Sequence, residues 1–188
     1  WVRVTLRIGE PSRWYFACNT VIDRQHVDTF GPVTKPDVWR GTAFYQDEPQ
    51  MREIDLWFSH LAPTHIISVE IEDDATIEPS LRFDLRWIAY GNSVTQGMNA
   101  TQPIYTWPAR VARALNADVV NLGIGGAKLY PELATTVPTT RADIISASFG
   151  CNDFNQDIPS QAYRERAEAL IDALRSQYPH VPIIMTSP

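Results

Sequence analysis

The sequence of 188 residues lacks an excess of positive charge. Lys and Arg number 16 against 22 Asp and Glu, which gives a formal net charge of −6 at pH 7. A chain with this balance has no positive field to gather phosphate groups. The composition therefore excludes nucleic acid as a predicted partner.

Long apolar segments and clustered cysteines are also lacking. No run of about eighteen apolar residues occurs, and a helix needs about that length to cross a bilayer, so no membrane span is predicted. The only cysteines, Cys18 and Cys151, form neither a CxxC motif nor a Cys/His metal-ligand spacing. We interpret both as buried thiols. They suit a reducing compartment without requiring one, so the localisation stays open between cytoplasm and secretion.

The first 84 residues have the pattern of short β-strands. Apolar and polar residues alternate in "WVRVTLRI", and breaks that contain Gly or Pro separate this run from later ones. The later runs are "RWYFAC", "VWRGTAFY", "REIDLWFSH" and "HIISVEIED". Aromatic residues are frequent here, enough to fill a core between two sheets, and exposed aromatics would instead favour a sugar-binding face. We predict a small β-sandwich domain over residues 1–84.

From residue 85 onward, strand-like and helix-like segments alternate. The predicted strands are residues 86–90, "ADVVNLG", "ADIISASFG" and "PIIMTS", and helices are predicted over residues 106–116 and 160–177. Trp107, Val111 and Leu115 lie four apart in the first helix, and the second has an apolar stripe. Strands joined through helices form a parallel sheet with helices on both faces. Residues 85–188 therefore predict an α/β domain.

Polar and flexible residues follow three of these strands. The strands run into "GNS" at 91–93, "NLGIGG" at 121–126 and "GCND" at 150–153. The carboxyl ends of parallel strands meet at one edge of a sheet, where ligands bind. A hydroxyl, a glycine N–H and a carboxamide at that edge are the nucleophile and the neutral oxyanion donors that acyl transfer needs. We predict an acyl-transfer site of Ser93, Gly126 and Asn152.

Each of these residues also has an interpretation without catalysis. Ser93 fits the N-cap of the next helix. Gly126 fits a tight turn, although a dinucleotide loop is excluded because position 128 is Lys and the G-x-G-x-x-G motif is not met. Asn152 and Asp153 fit a turn in which Asp153 braces its loop. The combination at one sheet edge favours catalysis over these separate interpretations.

The blocks "YGNSVTQG", "NLGIGGA" and "GCND" resemble the first three blocks of the SGNH hydrolases, also called GDSL esterases and lipases. The resemblance covers residues 86–188 and implies a flavodoxin-like α/β/α sandwich. It implies Ser93 as nucleophile, Gly126 and Asn152 as oxyanion donors, and the Ser93 backbone N–H as a third donor. No cofactor is implied, because serine acyl chemistry needs none.

The upstream residues extend the resemblance. "MREIDLWFSHLAPTHIISVEIEDDATIEP" is similar to a bacterial subgroup in which a β-sandwich precedes the SGNH domain. That subgroup includes acyltransferases of polyketide tailoring as well as esterases. The resemblance implies a serine esterase or acyltransferase that forms an acyl-serine from a small-molecule or carbohydrate ester. It leaves open the acyl group, the acceptor and the choice between hydrolysis and transfer.

Two departures from the family pattern concern the site. Asn92 stands where the family has the aspartate of GDS, which orders the turn, and an amide makes some of the same hydrogen bonds. The family's D-x-x-H motif, which supplies the base, does not occur. Three histidines, His26, His60 and His65, lie in the β part, and His180 enters the last strand on the side opposite the site. His60 and His65 have no third ligand beside them, so no metal site is predicted.

Without an imidazole in reach, a serine hydroxyl is a weak nucleophile. The sequence begins without Met and ends where a strand leaves the sheet, so we expect a fragment truncated before the Asp/His block. We expect these 188 residues alone to be inactive or feeble. The alternative is a non-catalytic protein in which the β part binds carbohydrate or a partner and the esterase domain is degenerate. The sequence predicts no particular oligomeric state.

Overall fold

The structure, a computed structural model, describes residues 1–10, 17–31, 37–80, 83–135 and 141–186. The chain divides into two units. The first contains residues 1–81 together with the segment Asn99–Thr106, and the second contains residues 82–98 and 107–188. The first is antiparallel β structure and the second a parallel α/β structure, so the predicted fold class is confirmed. Within the described ranges, no helix has both the length and the apolar character to cross a membrane.

The described residues of the first unit form two antiparallel sheets of three strands, in the orders β4-β1-β6 and β3-β2-β5. The strands are β1 Val2–Ile8, β2 Cys18–Ile22, β3 Gln25–Phe30, β4 Asp37–Phe44, β5 Ile54–Trp57 and β6 Thr64–Ile71. Side chains alternate along a strand, so Val4, Leu6 and Ile8 of β1 all face inward and are at most 1% exposed. They share one core with Cys18 and Phe30 of the other sheet. The two sheets therefore enclose a common apolar layer.

The sequence pattern misses β3 of this unit and all of β2 after Cys18. Strands β2 and β3 form a hairpin through a two-residue turn, in which Asp23 and Arg24 have φ values of 47° and 72°. Positive φ at both residues is the geometry of a type I′ turn, which Asn-Gly or Asp-Gly usually signals. This turn has Asp-Arg instead of Asn-Gly or Asp-Gly, so no turn signal in the sequence predicts the strand after it. Most of the run predicted over residues 13–18 lies outside the described residues, and β2 begins at Cys18.

A segment from the second half of the sequence belongs to the first unit. The side chain of Asn19, fully buried in β2, donates to Oε1 of Gln102 at 3.0 Å and accepts from the backbone N–H of Ile104 at 3.4 Å. Ile104 is itself fully buried. The contacts of one carboxamide thus hold the segment Asn99–Thr106 on the β structure.

The second unit is built on a parallel sheet of order β10-β9-β7-β8. Its strands are β7 Leu85–Gly91, β8 Ala117–Gly123, β9 Ile144–Ser148 and β10 Ile183–Thr186. Its helices are α1 Ser93–Gln96, α2 Trp107–Leu115, α3 Cys151–Asn155 and α4 Ser160–Gln177. The predicted alternation of strand and helix is confirmed. Strand β7 pairs with both β8 and β9, so the loop that follows β7 lies between the loops that follow β8 and β9.

Helices cover both faces of this sheet, as predicted. Leu170 and Leu174 of α4 are fully buried in one cluster with Ile88 of β7. On the opposite face, Ala112 of α2 packs with Trp87. Consecutive residues of a strand point to opposite faces, which is why Trp87 and Ile88 belong to different clusters.

Helix α2 buries its alanines rather than its larger aliphatic side chains. The spacing of Trp107, Val111 and Leu115 predicts the helix correctly, but of the three only Trp107 packs against the core. Val111 and Leu115 are 37% and 48% exposed, whereas Ala109 and Ala112 are buried. Alanine allows the helix backbone to approach the sheet closely, which leaves the larger side chains at the margin.

Candidate active site

The three predicted site residues follow neighbouring strands at one edge of the second unit's sheet. Strands β7, β8 and β9 are parallel and in register, and their last residues lie opposite one another. Ser93 begins α1 just after β7, Gly126 lies in the loop after β8, and Asn152 lies in α3 after β9. The sheet topology thus brings a hydroxyl, a glycine backbone and a carboxamide to the same edge.

A hydrogen bond joins the loop that carries Ser93 to the loop that carries Asn152. The side chain of Asn92 donates from Nδ2 to Sγ of Cys151 at 3.0 Å. Asn92 directly precedes Ser93, and Cys151 directly precedes Asn152. The bond therefore fixes the two predicted residues relative to each other through their chain neighbours. Cys151 is only partly buried, so the expectation of a buried thiol is confirmed for Cys18 alone.

A second set of bonds joins the loop after β8 to α3. Nδ2 of Asn152 donates to the backbone oxygen of Ala127, which follows Gly126, at 2.8 Å. Both carboxylate oxygens of Asp153 accept from the backbone N–H of Leu129, at 3.2 and 3.3 Å. Asp153 is only 2% exposed, and it braces this loop as expected from the sequence. The loop that carries Gly126 is thus held against α3 at two points.

The turn that carries Ser93 is shaped by the residue before it. Asn92 is the N-cap of α1, and its Oδ1 accepts from the backbone N–H of Val94 at 2.9 Å. The alternative that Ser93 caps the helix is therefore wrong. As the first helical residue, Ser93 has a backbone N–H with no acceptor inside the helix. Within the described residues, neither this N–H nor the hydroxyl of Ser93 makes a hydrogen bond.

Gly126 is required by its backbone conformation rather than by a lack of space. Its φ is +76°, which residues with a Cβ rarely adopt. A Cβ built there would have nothing within 4 Å, so the surface beside Gly126 is open. An approaching ligand would therefore meet the peptide backbone directly.

Among the described residues of the second unit, no imidazole lies at these strand ends. Of the four histidines, only His180 belongs to the second unit. It is exposed in the turn between α4 and β10, and since β10 runs parallel to the other strands, its start lies at the opposite edge of the sheet. The expected position of His180 is confirmed. The described residues also contain no group of three or more His, Cys, Asp or Glu that would hold a metal ion.

A cleft beside α3 was not predicted from the sequence. It has a volume of about 530 Å³, and Gly150, Asp153, Phe154 and Tyr163 contribute to its wall. Phe154 is 80% exposed, an unusual state for a large aromatic side chain. Burial and the nearby carboxylate of Asp153 raise the pKa of Tyr163, so its hydroxyl stays protonated at neutral pH. An aromatic residue directly after the "GCND" block is the sequence signal that could have indicated this wall.

Comparisons with known proteins agree with this topology. Among solved structures, the salicylyl-acyltransferase SsfX3 from a tetracycline biosynthetic pathway is 23% identical with a TM-score of 0.77, over 97% of this chain and 56% of that one. A family two carbohydrate esterase from Clostridium thermocellum in complex with cellohexaose is 15% identical with a TM-score of 0.80. The match covers 100% of this chain and 67% of the esterase. The acetyl xylan esterase Est2A from the rumen bacterium Butyrivibrio proteoclasticus is 14% identical with a TM-score of 0.71. The match covers 99% of this chain and 69% of Est2A.

These likenesses are of fold, since all three identities are low. The chain spans between about half and two thirds of the length of these structures. No curated protein sequence matches it significantly. The model of the GDSL-like lipase/acylhydrolase family matches residues 89–188, more than half of the chain, and includes all three strand ends described above. The protein therefore belongs to the GDSL-like lipase/acylhydrolase family.

Proposed function

We propose that residues 85–188 carry the nucleophile and oxyanion donors of a serine esterase or acyltransferase. The observation that supports this most is that Ser93, Gly126 and Asn152 follow neighbouring strands at one sheet edge. Hydrogen bonds from Asn92 to Cys151 and from Asn152 to Ala127 link the three segments that carry them. In this proposal, Oγ of Ser93 attacks the ester carbonyl carbon. The alcohol leaves with the proton that the serine gave up, and an acyl-serine remains.

The negative charge that develops on the carbonyl oxygen needs donors that are already in place. The Asn152 amide has two hydrogens, and the bond to Ala127 occupies one of them and fixes the direction of the other. The backbone N–H groups of Gly126 and Ser93 supply two further donors. Preorganised donors of this kind each contribute about 3–4 kcal/mol to transition-state stabilisation.

Serine catalysis also needs a general base within hydrogen-bond reach of the hydroxyl. The ends of β7, β8 and β9 carry no histidine. We therefore place the base outside these strand ends and expect full activity only from the protein at its natural length.

The proposed substrate is a small-molecule or carbohydrate ester. The open surface beside Gly126 leaves space for the ester. The cleft beside α3 offers the apolar side chains of Phe154 and Ile158 to an acyl or alcohol group, next to the polar groups of Asp157 and Ser160. The names of the similar structures, an acyltransferase and two carbohydrate esterases, support this class. Hydrolysis and transfer share the same acyl-serine and differ only in whether water or an alcohol takes the acyl group.

A fluorophosphonate probe tests the proposed nucleophile. At natural length, the protein is expected to take up one probe per chain, on the peptide that contains Ser93, and to lose p-nitrophenyl acetate hydrolysis in parallel. Mass spectrometry of the digested adduct locates the label, and heat-denatured protein is the control. Labelling at another residue, or hydrolysis that persists after full labelling of Ser93, would contradict the assignment.

A second candidate function is carbohydrate binding by the first unit. Tyr45 is 64% exposed and borders a cleft of about 670 Å³. Gln25, Gln46 and Arg52 contribute polar groups to the same cleft. An exposed aromatic ring beside polar donors is the usual combination for stacking against a sugar ring. This observation favours the alternative in which the β part grips carbohydrate.

Replacing Tyr45 with alanine is expected to weaken binding to soluble xylan or cellulose derivatives about tenfold, because the stacking surface is lost. Affinity gel electrophoresis measures the change. Tyr130→Ala, at a half-exposed tyrosine of the second unit, is the matched control. If the polysaccharide in the gel slowed wild type, Tyr45→Ala and Tyr130→Ala equally, this cleft would be ruled out as the binding site. If the wild type were slowed but not labelled at Ser93, carbohydrate binding would be favoured over catalysis.

A further inference from the structure

We propose that Asn92 and Cys151 form a positioning pair that sets the placement of the Ser93 nucleophile relative to the Asn152 oxyanion donor. This inference rests on the proposed function. Neither side chain takes part in the reaction itself, and both act through the residues that follow them in the chain. Their contact is the bond from Asn92 Nδ2 to Cys151 Sγ, 3.0 Å long.

The orientation of the Asn92 carboxamide is fixed by its other contact. A backbone N–H is only a donor, so the atom that faces the N–H of Val94 at 2.9 Å has to be the oxygen. The NH₂ group then has to face the sulfur of Cys151. Asn92 is 4% exposed, so water does not compete for this bond. One side chain thus caps α1 and binds α3 at the same time.

The orientation of the Asn152 carboxamide follows by the same reasoning. The backbone oxygen of Ala127 is only an acceptor, so Nδ2 of Asn152 faces it, at 2.8 Å. Oδ1 of Asn152 then lies toward Cys151 Sγ at 4.0 Å, a long and weak contact for a thiol hydrogen. The sulfur therefore accepts from one carboxamide and directs its hydrogen toward the other.

All donors in this chain of contacts run in one direction, from the start of α1 to the loop after β8. The short contacts at the two ends of this series, from Val94 to Asn92 and from Asn152 to Ala127, resist reversal of either carboxamide. Reversal of Asn152 would present an oxygen, rather than an N–H, to the developing oxyanion. The bond to Ala127 maintains the productive orientation of the Asn152 carboxamide, and the pair of Asn92 and Cys151 sets where Asn152 lies relative to Ser93. An aspartate at position 92 would keep the cap but has no hydrogen to give to the sulfur.

The effect belongs to the transition state, because the oxyanion forms only there. Misplacement of a reacting group by about 1 Å costs about 10²-fold in rate. Loss of the pair is thus expected to lower kcat and to leave KM nearly unchanged. A change in general stability alone would not produce this separation.

The test is a double-mutant cycle in the protein at natural length. Asn92→Ser retains a good N-cap but is too short to reach the sulfur, and Cys151→Ala removes the sulfur. Each single variant is expected to lower kcat for p-nitrophenyl acetate about tenfold, with KM unchanged. The double variant is expected to be no slower than the singles. Cys151→Ser, whose hydroxyl both accepts and donates, is expected to restore most of the activity.

A second measurement reports on the contact without catalysis. Asn92→Ser is expected to speed the alkylation of Cys151 by iodoacetamide, located by mass spectrometry. Cys18 is the internal reference, because burial raises the pKa of its thiol to about 11 and keeps it slow to react. Thermal unfolding of each variant confirms that it is folded.

Different results would contradict the positioning pair and the proposed serine esterase or acyltransferase function. If the wild type hydrolyses esters and is labelled at Ser93, but the single variants keep their kcat or the two losses multiply, the positioning pair is wrong and the proposed function stands. If the wild type neither hydrolyses esters nor is labelled at Ser93, the proposed function is wrong and the positioning role with it.

Discussion

Replacing Ser93 with alanine is expected to lower kcat/KM for p-nitrophenyl acetate by about 10³-fold or more in the protein at natural length. Removal of the nucleophile alone from a serine triad costs up to about 10⁶-fold in kcat, and the oxyanion donors and substrate binding account for what is left. In this chain, Gly126 and Asn152 would remain in place. The residual rate therefore measures what the donors achieve without the nucleophile.

Steady-state kinetics over a series of acyl chain lengths checks this prediction. Ser176→Ala, at an exposed serine near the end of α4, is the matched control and is expected to leave the kinetics unchanged. Because Ser93 is only 8% exposed and its hydroxyl makes no hydrogen bond within the described residues, its removal should change stability little. Equal rates for wild type and Ser93→Ala would rule out the serine mechanism.

Replacing Gly123 with alanine is expected to destabilise the second unit and to displace the turn that carries the nucleophile. A Cβ at this position would lie 2.5 Å from the carbonyl carbon of Thr95 and 2.6 Å from Cα of Gln96. Both are backbone atoms of α1, so no rotation of a side chain relieves the clash. Overpacking of this kind typically costs about 1–3 kcal/mol. The helix that begins with Ser93 has to move, which should lower activity about 10²-fold.

Urea unfolding and ester hydrolysis measure the two effects in the same samples. Gly125→Ala, two residues further on, is the matched control. A Cβ there would meet only Oε1 of Gln96, at 3.0 Å, and this is the far end of a flexible side chain. Its effect on the free energy of unfolding should stay within about 0.5 kcal/mol. If Gly123→Ala were as stable and active as Gly125→Ala, the close packing of α1 on β8 would be wrong.

The parallel sheet and its strand ends were predictable because they depend on local patterns. Apolar runs of strand length separated by amphipathic helices specify the topology, and the topology alone places the ends of β7, β8 and β9 at one edge. Helix α4, whose apolar stripe includes Leu170 and Leu174, was predicted with its observed bounds. The sequence therefore suffices to place the three candidate site residues after neighbouring strands.

Features that depend on contacts distant in sequence were not predictable. The buried face of α2 is chosen by how closely Ala109 and Ala112 approach the sheet, whereas the helical pattern emphasised its larger residues. The bond between Asn92 and Cys151 joins residues 59 positions apart, and no local pattern encodes it. The turn of Asp23 and Arg24 shows a third limit, because its positive φ values come from hairpin geometry and not from glycine.

The segment Asn99–Thr106 has a consequence for dissecting this protein by cloning. Sequence divides the chain near residue 84, yet this later segment is packed with the first 81 residues. Expression of the α/β half alone would expose Ile104, which is otherwise fully buried. It would also remove the side-chain amide of Asn19 that donates to Gln102. The isolated α/β half would then expose an aggregation-prone apolar loop between α1 and α2, close in sequence to Ser93. Separating the halves cleanly would require redesigning that insertion as well as cutting the linker.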